Sequence, residues 1–311
     1  MRNWSNYVDS YIRYCEMRGL EKSTTDQRER ELTKFGLWLK GKSYKLKSIK
    51  ELNEKHVINF VKLSCQYKAK ATTFGKLSVL NGFGEWLCIE GHWQKNPIQW
   101  IERPKLNSSR KIPRVQSREN LIKIYQETFN HHTQLFKYLY PAAFIIYYST
   151  GMRKTELLGL KISDWNEKER SLKVTGYKTK TDRLVPLTKD AAHVLESYLN
   201  VRNRLLIRKG ISSQDHIFLN RDGKRLSGTQ IWKGLKNAAL RAGIDNFTTH
   251  QLRHNCTSDL LESGVHLTKV QQILGHKCIE STFRYTHITD EGRAIAMSKH
   301  PINEILGVLN E

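Results

Sequence analysis

The sequence predicts a mainly α-helical chain with a small antiparallel β-sheet, split into a helical N-terminal domain and a mixed α/β C-terminal one. Three observations carry this prediction. Apolar residues recur at helical spacing over most of the chain. A proline-bearing, basic stretch interrupts that pattern near residues 104–116. Strand-like segments are confined to one place, between residues 160 and 187.

Segments around 3–18, 23–41 and 53–66 are amphipathic, and Leu77, Leu80, Phe83, Trp86 and Leu87 form an apolar stripe at helical spacing. Together they predict a bundle of four short helices over residues 1–103. Ahead of the stripe, Thr72, Thr73 and Lys76 share another face, which reads either as a solvated surface or as one that lies on a polyanion. Pro97, Pro104 and Pro113, with small polar residues and Lys105, Arg110 and Lys111 among them, predict an extended basic linker over 104–116. The second domain then occupies 117–311, with helices expected over 117–129 and 135–149. Strand-like pieces follow at Leu160–Trp165, Ser171–Thr175 and Arg183–Leu187, and helical periodicity resumes near 189–207, 228–242, 249–263 and 267–274. The most apolar run, Tyr140 to Tyr148, is too short to span a bilayer and reads as a buried helix.

A net charge of +22 and a pI near 9.8 call for a polyanionic partner or very loose solubility constraints. Both halves are basic: residues 1–105 hold 20 Lys and Arg against 11 Asp and Glu, and the remainder holds 32 against 19. Two basic lobes suit a clamp around a duplex better than one basic tail does. The start lacks the apolar stretch of a secretory signal. The cysteines, Cys15, Cys65, Cys88, Cys256 and Cys278, show no metal-ligand spacing and read as reduced thiols of a cytoplasmic chain.

Gly36 to Ser43 satisfies the GxxxxGK[ST] pattern of nucleotide-binding loops. That pattern binds phosphate only between a buried strand and a helix, where backbone N–H groups converge. Here it follows the charged, helical stretch Arg28–Phe35, so no nucleotide site is expected.

Chemistry-bearing residues concentrate in the second domain. In Thr249-His250-Gln251-Leu252-Arg253-His254 a threonine can cap a helix start, which sets His250 and Arg253 on one face. A guanidinium beside an imidazole can grip phosphate oxygens and move a proton. His254, one turn on, competes with His250 for that role. Gly275 ends the preceding helical stripe and puts His276 beside a sharp turn. Tyr285 follows nine residues later. A phenol with a pKa of about 10 attacks poorly unless positive charge and a proton acceptor stand near it. Arg153 follows a helix-breaking Thr150-Gly151 pair, and Glu156 is placed to hold its guanidinium. Lys178 sits in a hairpin tip with Lys180 as competitor, and an ammonium there can protonate a leaving oxygen. No carboxylate cluster suited to a metal accompanies these groups.

These fragments, in this order, resemble the tyrosine recombinases of the phage integrase family, most of all the compact Xer-like members. Thr150-Gly151-Met152-Arg153 with Glu156-Leu157 looks like the family's first arginine box, and His250-Gln251-Leu252-Arg253-His254 like its HxLRH box. Leu274-Gly275-His276 resembles the LGH element, and Lys178, eight residues before Pro186, the hairpin lysine. Tyr285 matches the nucleophile. Two departures stand out: Asn255-Cys256 replaces a threonine and an aromatic residue, and Tyr177 stands where glycine is frequent. The resemblance implies a helical core-binding domain and a catalytic domain of the DNA breaking-rejoining type. It implies site-specific cutting and rejoining of double-stranded DNA through a 3′-phosphotyrosyl intermediate, by a homotetramer on paired sites. Arg153, Lys178, His250, Arg253, His276 and Tyr285 are the expected catalytic residues, with Glu156 in support and Thr72, Thr73 and Lys76 as candidate DNA contacts. No cofactor, metal ion, nucleotide or membrane is expected, and the setting is the cytoplasm, at the nucleoid. Residues 291–311 carry no chemical signature and by resemblance dock into a neighbouring subunit. A type IB topoisomerase and a catalytically idle DNA-binding protein are the alternatives.

Overall fold

Trp4 shows how the first unit is built. Its ring meets Phe35 and Phe83 edge-on, with centroids 5.6 and 5.5 Å away, while its indole N–H donates to the Leu32 carbonyl at 3.0 Å. One side chain thus ties the helices α1 (Trp4–Met17), α2 (Lys22–Gly41) and α4 (Lys70–Ile89) together; α3 (Glu54–Cys65) closes the bundle through Phe60, 4.9 Å from Phe35. The structure, a computed structural model, describes residues 4–41, 46–66, 68–105, 114–176 and 182–275. The chain divides into two compact units, Met1–Ser109 and Arg110–Glu311.

The expected stripe on α4 is the inner wall of this bundle: Leu77, Leu80, Phe83, Trp86 and Leu87 are all buried. Gly36 lies mid-way along α2, and a Cβ there would collide with the Trp4 ring. Residues 36–41 are therefore packed helix, not the strand-to-helix turn that a phosphate loop requires.

The second unit winds around the buried helix α6 (Gln134–Thr150), which contributes Leu139, Ala142, Ala143, Phe144, Ile146 and Tyr147 to the core. Helices α5 (Arg118–Thr128), α8 (Lys189–Lys209), α9 (Gly228–Arg241) and α10 (Thr249–Glu262) surround it. Among the described residues the sheet has three antiparallel strands in the order β1 (Trp165–Asn166), β2 (Ser171–Val174), β3 (Arg183–Pro186), in register Trp165↔Leu172, Leu172↔Val185 and Val174↔Arg183. Alternation on β2 sends Leu172 and Val174 inward, as a half-buried strand should. Helix α11 (Leu267–Leu274) lies against α10 and β3.

A mainly helical fold with a small antiparallel sheet is thus what forms. Three local expectations are corrected. Leu160–Trp165 is not a strand: Ile162–Asp164 coils into a 3₁₀ turn because the Asp164 carboxylate accepts the Lys161 N–H at 2.8 Å, and pairing starts only at Trp165. A short helix, α7 (Lys154–Gly159), follows the Thr150-Gly151 break, where the sequence pattern signals none. The residue that caps α10 is Thr248, just before the block, with its N–H donating to Gln251 Oε1 at 2.6 Å. The unusual Asn255 is buried and exchanges two hydrogen bonds with the Gln116 backbone, at 3.0 and 2.7 Å. It thereby fastens the chain entering α5 to α10. Among the described residues no helix is long and apolar enough to cross a membrane.

Alanine at an exposed helical glycine gains up to ~1 kcal/mol. At Gly36 the Trp4 ring reverses the sign, and Gly36→Ala should cost about 1–3 kcal/mol of stability through overpacking. A calorimetric melt that shows no loss contradicts this packing.

Candidate active site

Helix α6 ends because Gly151 adopts the left-handed conformation, φ 57°, and its N–H returns to the Tyr147 carbonyl. Only glycine fits, since a Cβ would collide with Leu274. The turn sends the chain through buried Met152 to Arg153, the residue before α7. There the Arg153 N–H donates to Glu156 Oε2 at 2.8 Å, and its Nη1 to Glu156 Oε1 at 2.9 Å. Glu156 is buried, and Arg183 at the head of β3 completes its coordination with Nη2 at 2.9 Å from Oε2. Burial pushes this carboxyl up; the Arg183 and Arg153 donors outweigh burial and hold it below the usual carboxylate range.

Two guanidiniums converge on the end of α11. Arg183 Nε donates to the Ile273 carbonyl at 2.7 Å, and Arg253 Nη2 to the Leu274 carbonyl at 2.9 Å. Arg253, itself buried on α10, also donates through Nη1 to the Gly151 carbonyl. The last carbonyls of a helix lack partners within it and carry its negative dipole end, so cations there are favoured. The α6–α7 turn, the head of β3, the start of α10 and the end of α11 are thereby drawn to one place. Gly275 closes α11 in the left-handed conformation, φ 63°, against Arg183. His276 is the next residue in the sequence.

His250 projects from the first turn of α10 and meets His254 edge-on at 4.8 Å. Partial desolvation, then the positive charges of Arg253 and Arg153, hold its pKa below the ordinary histidine value. At neutral pH the imidazole is therefore uncharged and able to accept a proton. Both arginines act on His250.

Of the six expected residues, Arg153, His250 and Arg253 are brought together. Lys178, His276 and Tyr285 lie outside the described residues. Glu156 holds Arg153 as expected. Sequence reasoning misses Arg183, which there is one member of a strand-like run; the available signal is a charged residue at a strand head, close after a lysine-rich hairpin. On α4, Thr72 is exposed and Thr73 half-buried. The Lys76 ammonium pairs with Glu31 at 3.4 Å and lies 5.1 Å from the Phe60 ring centre, so it is engaged within its own unit. Among the described residues no three His, Cys, Asp or Glu side chains cluster as metal ligands would. A cavity of about 490 Å³ near Tyr148, Cys256 and Asp259 contains none of the candidate residues.

The sequence pattern of the phage integrase family matches residues 117–292, a segment that contains all six positions. The chain belongs to the phage integrase family. It is 32% identical over 285 residues to the tyrosine recombinase XerD of Oceanobacillus iheyensis, covering 91% of this chain and 93% of that one. A XerD of Listeria monocytogenes is 32% identical over 292 residues, covering 92% and 95%. Two solved structures share the fold. The lambda integrase(75–356) dimer bound to a COC′ core site superposes with a TM-score of 0.66 at 20% identity, over 88% of this chain and 95% of that one. The XerH site-specific recombinase bound to palindromic difH substrate, in a post-cleavage complex, gives 0.67 at 22%, over 91% and 81%. The expected enzyme class, a tyrosine-type site-specific recombinase, is borne out, and nothing favours the topoisomerase alternative.

Glu156 yields a pH-dependent prediction. A carboxyl whose folded pKa is depressed contributes stability that is present above its unfolded value, ~4.3, and lost as pH falls through the folded one. Glu156→Gln also leaves two guanidiniums without a counter-charge, which should cost about 3 kcal/mol at pH 7. In denaturant titrations the gap between variant and parent should shrink as the pH falls below that unfolded value. A gap independent of pH contradicts the ionised, doubly paired carboxylate.

Proposed function

We propose that this recombinase cuts DNA by attack of the Tyr285 hydroxyl on a backbone phosphate, leaving a 3′-phosphotyrosyl bond and a free 5′-hydroxyl. The observation that supports this reading most is the gathering of Arg153, Arg253 and His250 at the turn that Gly151 makes, with Gly275 held at the same place. In this reading Arg153 and Arg253 stabilise charge on the non-bridging oxygens as preorganised cations. His250, uncharged at neutral pH, takes the phenolic proton; His276 donates to a phosphate oxygen; Lys178 protonates the departing 5′-oxygen. Glu156 steadies Arg153 without touching DNA.

The barrier argues for several groups acting together. Phosphate esters are among the slowest substrates known, and ~20 kcal/mol or more must be removed. One oxyanion donor supplies roughly 3–4 kcal/mol, so no single contact suffices. Exchange of one ester for another retains the bond energy, and the displaced hydroxyl of a partner strand can reverse the step. Neither a metal ion nor a nucleotide takes part in this scheme.

The bound partner is duplex DNA, with four copies of the chain on two recombination sites. Residues 1–103 and 117–311, both basic, then each contact the duplex, joined by the basic linker 104–116. Thr72 and Thr73 are the proposed backbone contacts; a phosphate reaching Lys76 must compete with Glu31. The setting is the cytoplasm, on nucleoid DNA.

Duplexes selected by the protein from a random pool supply the substrate for two tests. Tyr285→Phe should bind them as the parent does and form no covalent adduct; adduct in that variant contradicts the nucleophile. Lys178→Ala should slow cleavage at least ~100-fold with an ordinary leaving group. It should slow cleavage far less when the leaving group is a 5′-thiolate, which departs without a proton. Equal loss on both substrates contradicts the general acid.

A further inference from the structure

We propose that Arg183 is a positioning residue for strand cleavage: its guanidinium bridges the Glu156 carboxylate to the C-terminal end of α11, and so keeps Arg153 available to the phosphate. The proposal rests on the reading of the site given above and adds a residue that the reading does not use.

Three facts about one side chain carry it. Nη2 donates to Glu156 Oε2 at 2.9 Å while Nε donates to the Ile273 carbonyl at 2.7 Å, so a single rigid plane spans two elements. The side chain is only 9% exposed, and its third nitrogen, Nη1, is buried without a hydrogen-bond partner among the described residues, 2.8 Å from where a Gly275 Cβ would stand. Gly275 precedes His276, and Lys178 lies five residues upstream of Arg183 on the same hairpin. Arg183 therefore touches the support of Arg153 and the glycine that precedes His276 in sequence, without being one of the proposed catalytic groups.

Its electrostatic role follows from what Glu156 does with two cations. The carboxylate is shared: Oε1 holds the Arg153 guanidinium, and Oε2 accepts both the Arg153 N–H and Arg183 Nη2. The charged and titratable groups facing it are Arg153 on its own turn, Arg183 from β3 and the Tyr147 phenol from α6. Removing Arg183 leaves one guanidinium to balance a buried negative charge. Arg153 is then drawn into a bidentate pair with Glu156, and its charge is spent inside the protein. Lysine at 183 keeps the charge but cannot reach the Glu156 and Ile273 oxygens with one rigid fork.

The test compares Arg183→Met, Arg183→Lys and the double variant Arg183→Met/Glu156→Gln with the parent. Single-turnover adduct formation is measured on a nicked duplex carrying the selected site, at saturating protein and well below every melting transition. Arg183→Met should lose roughly 100-fold in the cleavage rate constant, the penalty of a misplacement near 1 Å, with DNA affinity within about threefold. Arg183→Lys should fall between parent and Met. The double variant should cleave faster than Arg183→Met alone, because without the carboxylate nothing withdraws Arg153. Cleavage by Arg183→Met at the parental rate overturns the proposal, even if its melting temperature falls, since the residue is then structural only. A double variant as slow as Arg183→Met, or slower, also overturns it. If the parent itself forms no adduct, the reading of the site fails and the proposal fails with it, a result distinct from either of these.

Discussion

A single buried carboxylate organises this molecule's basic site. Glu156 accepts three donors from two arginines, one in its own turn and one from the head of β3. Cations crowded together repel, and without a counter-charge Arg153 and Arg183 would drift toward solvent. A carboxylate with both oxygens engaged fixes them in direction as well as in number. The neighbouring Arg253 is held differently, by backbone carbonyls at the ends of α6 and α11. Helix dipoles do for Arg253 what a side chain does for Arg153.

This arrangement answers a conflict that any phosphate-handling surface faces. Positive charge must stand ready before the substrate arrives, yet it must remain attractive to an anion when it does. Full pairing within the protein would stabilise the fold and disable the site; no pairing would leave the charges mobile and the geometry loose. Sharing one carboxylate between two guanidiniums, and anchoring Arg253 to backbone carbonyls, lies between these limits. Burial first, and then the same positive field, keep His250 uncharged at neutral pH, so the arginines favour proton acceptance as well as charge stabilisation.

Much of this is legible in the chain itself. The stripe Leu77–Leu87 and the apolar α6 run set both cores, because a helix must bury its apolar side regardless of its neighbours. The Thr150-Gly151 break announces a turn that only glycine can make. Other features depend on contacts distant in sequence. Arg183 meets Ile273 across 90 positions, and no local pattern in a short strand announces such a partner. Asn255 looks like a departure from the family pattern, but its reason lies 139 residues away at Gln116. Leu160–Trp165 misleads because Asp164 caps its own backbone, an interaction that overrides alternation. Lys76 looks open on a helical face, yet Glu31 and Phe60, from two other helices, enclose it.

On the proposed reading the charges surround a place for phosphate, and one particular oxygen forms a bond with it. Digestion of the trapped protein–DNA adduct, followed by mass spectrometry of the peptide that retains the nucleotide, identifies that oxygen. The phosphate is expected on Tyr285, joined to the 3′ side of the cut. Phosphate on any other residue, or a cut that leaves no residue modified, contradicts this chemistry.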